Sequence, residues 1–159
     1  MSIVDDLSAY RVIRDGLLVQ GVQALSDMGD CRYRGGTWEQ DGPDIHDREY
    51  VPDGKKCAVG FVLADEHYDT RFEDHVISGD ISLRDAVRSS NPEWDMNQES
   101  YDFLSGMQHI HDQLPVEDWQ IVFDEIDRRI VRGDKLPDEQ RVISIHRIVT
   151  KRDVLEEKV

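Results

Sequence analysis

Two helical patterns joined by a very short turn constrain this fold more than any other feature of the sequence. Apolar side chains recur at three- and four-residue intervals over residues 97–113, and again from Trp119 to Ile130. Pro115 interrupts the pattern between them, and Gly133 closes the second helix. Because so short a turn sends the chain back on itself, we predict a helical hairpin in the core. The expected buried stripe is Phe103, Met107, Ile110, Leu114, Trp119, Val122, Phe123, Ile126 and Ile130, with Asp118, Glu125, Asp127 and Arg128 off it.

The N-terminal region has the same periodicity. An amphipathic helix is predicted over residues 3–26, with Ser2 and Asp5 as a capping box and Gly29 as its stop. A shorter helix is predicted to start at Ser82. The stripe of the first helix is Leu7, Tyr10, Ile13, Leu17, Gly21 and Leu25.

Between these helices the period changes and glycine accumulates. The short segments CRYR (residues 31–34) and KKCAV (residues 55–59) are candidate strands, and Pro52 to Gly54 has the composition of a turn. We predict a small β-hairpin here, which would bring the two cysteines of the chain close together. The expected fold class is therefore mainly α (α+β), with a helical core and a small β-hairpin.

The chain is long enough for one domain, which we place at residues 1–133. Residues 134–159 form a C-terminal extension with conflicting signals. Pro137, Asp138 and Glu139 are typical of a first helical turn, whereas RVISIHRIVT is rich in β-branched residues. We expect a helix that packs on the same domain.

Charge is distributed unevenly along the chain. The net formal charge is −15, and residues 38–127 alone carry 6 basic and 23 acidic side chains, a net of −17. Residues 128–159 carry 9 basic and 6 acidic side chains. Because nucleic-acid binding depends on Lys and Arg side chains at the phosphates, direct binding of DNA or RNA is disfavoured. A basic surface on a protein would instead be attracted.

No stretch approaches the ~20 apolar residues that a membrane span needs. The first ten residues, MSIVDDLSAY, lack the basic and apolar regions of a secretory signal. We therefore expect a cytoplasmic protein, in the host cytosol if the chain is phage-encoded, with no membrane partner. Cys31 and Cys57 are then expected to be reduced thiols.

The segment GKKCAVG, residues 54–60, is the strongest candidate for chemistry. One hypothesis is a cysteine-dependent enzyme in which Cys57 is the nucleophile, His111 the base and Asp112 the orienting group. The competing interpretation is structural, because a cysteine among small apolar residues is typical of a buried, inert thiol. Phosphate-binding glycine loops and the G-x-S-x-G elbow are absent from the sequence, so no cofactor is expected.

A metal-stabilised structural protein is a further alternative. Cys31 and Cys57 with His46 or His67 offer sulfur and imidazole ligands, but their spacing includes no close ligand pair. His109 and His111 would point about 200° apart on a helix and cannot share one ion there. No metal site is therefore predicted.

Acidic and aromatic residues of the middle segment are the predicted binding surface. The carboxylates lack the loop pattern of a calcium site, so a solvated face that meets a partner is favoured. Exposed aromatic residues beside them would suit a protein interface. The predicted binding residues are Asp65, Glu66, Tyr68, Asp69, Glu73, Asp74, Trp38 and Trp94.

Several segments in order resemble a group of small hypothetical proteins of tailed bacteriophages and prophages. Its pattern is C-x-Y-R, then K-C-A-[IV]-G leading into D-E-x-Y-D, then Q-x-I-H-D…P…W, and it covers roughly residues 17–125. The resemblance implies a phage-related origin and carries over no activity. A longer loop between the two cysteines and the basic tail after Gly133 depart from it. The matching residues are Cys31, Tyr33, Arg34, Lys56, Cys57, Ala58, Val59, Gly60, Asp65, Glu66, Tyr68, Asp69, Gln108, Ile110, His111, Asp112, Pro115 and Trp119.

These observations favour a non-catalytic, acidic phage-type accessory protein. We expect it to bind, and in doing so inhibit, a host or phage protein with a basic surface, by presenting charge in the manner of nucleic acid. The cysteine-dependent enzyme and the metal-stabilised protein are the alternatives.

Overall fold

The computed structural model describes residues 2–23, 56–67, 77 and 79–157 of the chain. These residues form five α-helices and two short 3-10 helices, and no strand occurs among them. The 3-10 helices span Val59–Val62 and Asp65–His67. The α-helices are α1 Asp6–Gln20, α2 Ile81–Ser90, α3 Gln98–Gln113, α4 Val116–Val131 and α5 Glu139–Glu157.

The predicted β-hairpin is wrong, and the described part of the protein is all-α. In the segment proposed as the second strand, Ala58 is in the right-handed helical region and precedes the 3-10 helix Val59–Val62. Its backbone bonds are local, from the Phe61 N–H to the Ala58 carbonyl for example. Residues 31–34, proposed as the first strand, lie outside the described residues. The β propensity of valine is overridden here because this turn is buried in the core, where packing decides the conformation.

Helix α1 is shorter than the periodicity predicts. Asp5 is its N-cap, and the capping box pairs Asp5 with Ser8 rather than with Ser2. The helix ends because Gly21 takes a left-handed conformation (φ 68°), which glycine adopts without the strain that a Cβ causes.

The core stripe of α3 and α4 is confirmed from Phe103 to Ile126, while Ile130 is only half-buried. The two helices do not pack along each other. Their junction is extended, with ψ angles of 141° at Leu114 and 140° at Pro115. The helices diverge from it, and both contact α1 and α5 instead. The Tyr10 ring of α1 accordingly contacts both Phe103 and Phe123, with centroids 6.5 and 6.2 Å apart.

The C-terminal segment is helical, because burial against two helices outweighs its β-branched composition. Helix α5 packs on α3 and α4 through Val142, Ile145 and Val149. The chain between α4 and α5 passes close to Gly106 of α3, where an added Cβ would lie 2.5 Å from the Pro137 carbonyl oxygen. Among the described residues, no helix is both long and apolar enough to cross a bilayer.

Candidate functional site

The segment that contains Cys57 is held in place by two glutamine side chains. Gln20, at the end of α1, accepts a hydrogen bond from the Lys56 N–H and donates one to the Lys56 carbonyl, both at 2.9 Å. Gln108 of α3 accepts a bond from the Val59 N–H at 3.1 Å. The backbone on both sides of Cys57 is thereby satisfied by side chains rather than by a neighbouring strand.

The last turn of α3 continues this network. Asp112 Oδ1 accepts a hydrogen bond from Gln108 Nε2 at 2.9 Å and lies 2.6 Å from His111 Nδ1. Gln23 donates to the His111 carbonyl at 2.8 Å, which ties this turn to the chain after α1. The His111 ring also lies 6.0 Å from the Trp119 ring of α4. His111 and Asp112 are therefore neighbours, and Gln108 links their turn to the Cys57 segment.

This arrangement is closed. Cys57 has 0% of its surface exposed, and His111 is 2% exposed. A nucleophilic thiol must be reached by its substrate, so this geometry has the form of a packed core and not of an open active site.

The metal interpretation finds no support in the described part of the chain, where no group of three His, Cys, Asp or Glu side chains is placed to hold an ion. Cys31 and His46 lie outside the described residues. The two histidines of HIH have different partners: His109 lies 3.5 Å from Glu139, and His111 contacts the adjacent aspartate.

The predicted binding surface is described only in part. Glu66 is 80% exposed and lies 3.7 Å from His67. Trp94, in contrast, is buried, and its Nε1–H donates to Asp6 Oδ1 at 2.7 Å, so it joins α1 to the start of α3 and is not an exposed anchor. The remaining predicted residues, namely the side chain of Asp65 together with Tyr68, Asp69, Glu73, Asp74 and Trp38, lie outside what is described.

One carboxylate expected at the surface is buried. Glu125 of α4 accepts hydrogen bonds from Arg128 at 3.0 Å and Arg129 at 3.1 Å, and Arg132 lies 3.8 Å away. Burial by itself would raise the pKa of Glu125, but the two hydrogen bonds and the arginine charges outweigh it and hold the pKa below its usual range. This carboxylate is neutralised within the molecule.

Most other carboxylates of the described helices are not neutralised in this way. A set of exposed acidic side chains has no Lys or Arg side-chain nitrogen within 4 Å, among the pairs that involve described residues. Their charges therefore act on the surrounding solvent and on any approaching partner. We call these seven residues the free carboxylates: Asp5, Asp85, Glu93, Asp95, Asp102, Glu117 and Asp138.

A groove opens where α3 and α4 are furthest from their shared junction. It lies between the start of α1, the first half of α3, the second half of α4 and residues 133–145, and its volume is about 770 Å³. This size is within the range of ligand-binding pockets in proteins. Six apolar side chains line it: Leu7, Phe103, Ile126, Ile130, Leu136 and Ile145.

The groove was not predicted from the sequence, because its walls come from four segments that only the tertiary fold brings together. The C-terminal extension supplies one wall, so a chain that ended near Gly133 would lack it. The one available signal was Leu136 between the two helical patterns, an apolar residue in a polar connection.

No protein-family model, no curated protein and no solved structure matches this chain.

Proposed function

We propose that this chain is a non-catalytic acidic accessory protein of the bacteriophage type, which binds a host or phage protein through a basic surface of that partner. The observation that carries the proposal is the set of free carboxylates on the described part of the chain. A surface rich in unpaired carboxylates attracts Lys and Arg side chains and accelerates encounter with a basic partner.

Inhibition by charge mimicry follows from the same chemistry. A protein that binds nucleic acid does so with Lys and Arg side chains that neutralise phosphates. Carboxylates presented to those side chains compete with the phosphates for the same positive charges. The partner that we propose is therefore a nucleic-acid-binding protein of the host or the phage, and binding of this chain excludes nucleic acid from it.

The buried position of Cys57 supports a binding function over the enzyme alternative. Its segment is fixed by Gln20 and Gln108, and these contacts stabilise the fold without exposing the thiol. Cys57 and His111, the nucleophile and the base of the enzyme hypothesis, are both buried in the core.

The proposal is tested by capturing partners from bacterial lysate on the immobilised protein at about 50 mM and at about 500 mM salt, because screening weakens exposed charge interactions. Captured proteins are identified, purified and tested for DNA binding with and without this chain. We expect a partner that is released by high salt and displaced from this chain by DNA.

Two matched variants separate charge from side-chain identity. Asp85→Asn/Asp95→Asn/Glu117→Gln removes three free carboxylates, whereas Asp85→Glu/Asp95→Glu/Glu117→Asp keeps all three charges. The first is expected to slow association with the partner several-fold at low salt, and the second to leave it unchanged. Absence of any salt-sensitive partner, or equal behaviour of the two variants, would refute the proposal.

A further inference from the structure

We infer that the groove between α1, α3, α4 and residues 133–145 receives an amphipathic helix whose apolar face is flanked by Lys and Arg side chains. The inference rests on the proposed function and assigns it a docking site. Three features of the groove support it: the apolar surface left uncovered, the charges around it and its open shape.

The floor of the groove retains apolar surface that folding does not cover. Phe103, Ile126 and Ile145 are buried, but Leu7, Ile130 and Leu136 are only half-buried. Covering these three side chains removes further apolar area from water, which is favourable. An occupant that contributes apolar side chains of its own is therefore favoured.

The charges at the groove select a cationic occupant. Five carboxylates and three cations line it. Two of the cations already have partners, since Arg129 donates to Glu125 at 3.1 Å and Lys135 donates to Glu99 at 3.0 Å. Asp102 and Asp138 are free carboxylates as defined above, and Arg141 is the remaining cation. The excess at the rim is negative, and it complements Lys and Arg side chains.

The shape favours a helix over a small molecule. The groove is partly open to solvent and lies between the ends of α3 and α4 that are far from their junction. An amphipathic helix binds such a surface by placing apolar side chains at i, i+3, i+4 and i+7 into the groove while its polar face remains in water. Cations beside that apolar face would then reach the carboxylates at the rim.

The test uses the full chain and a synthetic helical peptide of Leu and Lys at helical spacing, with the Lys→Glu version of the same peptide as its control. Affinity is measured by fluorescence anisotropy of the labelled peptide, and the site by amide chemical shifts of the isotope-labelled protein. We expect the Lys peptide alone to bind, with the largest shifts at Leu7, Phe103 and Leu136.

Two pairs of variants locate the site. Ile130→Asn alters the groove, whereas Val131→Asn changes a neighbour that is 87% exposed and does not line it. We expect a loss of roughly tenfold in affinity from the first and less than about twofold from the second, as at the centre and periphery of an interface. Asp102→Asn and Asp15→Asn form the second pair, since Asp15 is an exposed carboxylate that pairs with Arg14 and does not line the groove. Both residues are exposed, so this pair reports on the groove even if Ile130→Asn disturbs folding, and only Asp102→Asn is expected to weaken binding.

Several outcomes would overturn the inference. Shifts centred away from the groove, or equal losses from Asp102→Asn and Asp15→Asn, would place the docking site elsewhere and leave the proposed function intact. Equal binding of the Lys and Glu peptides would show that the carboxylates at the rim do not select a cationic occupant. The same shifts on concentrating the protein alone would assign the groove to a second copy of this chain. Failure of the Lys peptide to bind would also exclude the groove, while the lysate experiment tests the proposed function separately.

Discussion

Replacing Gly106 by alanine tests how α5 is held against α3. A Cβ at Gly106 would lie 2.5 Å from the Pro137 carbonyl oxygen and 2.9 Å from the Asp138 carbonyl carbon. Both are backbone atoms, so no side-chain rotation relieves the contact. Asp138 also caps α5, since its side chain accepts from the Arg141 N–H and its carbonyl from the Val142 N–H. Displacing this backbone therefore moves the start of α5.

The expected magnitude combines two opposing effects. Alanine in a helix interior is favoured over glycine by about 0.5–1 kcal/mol. Overpacking of a tightly packed site costs about 1–3 kcal/mol. Taking the middle of each range, the free energy of unfolding should fall by roughly 1 kcal/mol, which lowers Tm by about 2–5 °C for a chain of this size.

Gly16→Ala is the matched control, because Gly16 also lies within a helix. Its Cβ would meet the Phe61 ring at 2.5 Å, but this ring belongs to a half-buried side chain that can turn aside. The rotation costs about 0.5–1.5 kcal/mol and nearly cancels the gain in helix propensity. Thermal and urea unfolding followed by circular dichroism compare the two variants. A Gly106→Ala protein as stable as the wild type, or less affected than Gly16→Ala, would refute the reasoning.

Three further predictions concern buried groups. Tyr10→Phe should lower stability by about 1–2 kcal/mol through loss of the 2.6 Å bond to Asp127. Burial, and then the hydrogen bond to Asp127, raise the pKa of Tyr10. Above about pH 10 this tyrosine therefore ionises only in the unfolded chain, and the urea midpoint of the wild type should fall. An equal loss of stability at alkaline pH in the Tyr10→Phe variant would contradict this explanation. Glu125→Gln should destabilise the fold by about 1–3 kcal/mol at pH 7. Because the pKa of Glu125 is lowered, its contribution to stability is present above its unfolded pKa of about 4.3 and is lost as the pH falls through the folded value. The stability difference between Glu125→Gln and the wild type should therefore shrink in acid. A difference that stays constant with pH would count against the charge mechanism. In a Cys31→Ser background, Cys57 should react with a thiol reagent only on unfolding, and rapid reaction of the native protein would show an accessible thiol.

The helical periods were readable from the sequence because each reports the face that a single element buries. The stripe from Phe103 to Ile126 is buried as predicted, since apolar spacing at three and four residues depends only on the geometry of the helix itself. The position of Gly133 after α4 was predictable for a similar local reason, because only glycine adopts its φ of 92° without strain.

The predictions that failed concern residues whose state is decided by distant partners. Val59 belongs to a segment with strand-like composition. Its N–H nevertheless donates a hydrogen bond to the side chain of Gln108, 49 residues away, and the turn is buried in the core. Glu125 has the composition of an exposed position and is buried because three arginines of its own helix and the following turn converge on it. Trp94 is buried, and its indole N–H donates a hydrogen bond to Asp6 at the start of α1.

The sequence by itself determined the approximate location of the helices, the buried stripe of α3 and α4 and the net negative charge of the chain. These properties follow from local periodicity and from composition, which need no knowledge of neighbours in space. Only the tertiary structure decided that α3 and α4 diverge, that the Cys57 segment is enclosed and that the last helix completes a groove. Each of these depends on contacts between residues far apart in the chain, and the free energy of such contacts is set by packing rather than by local propensity.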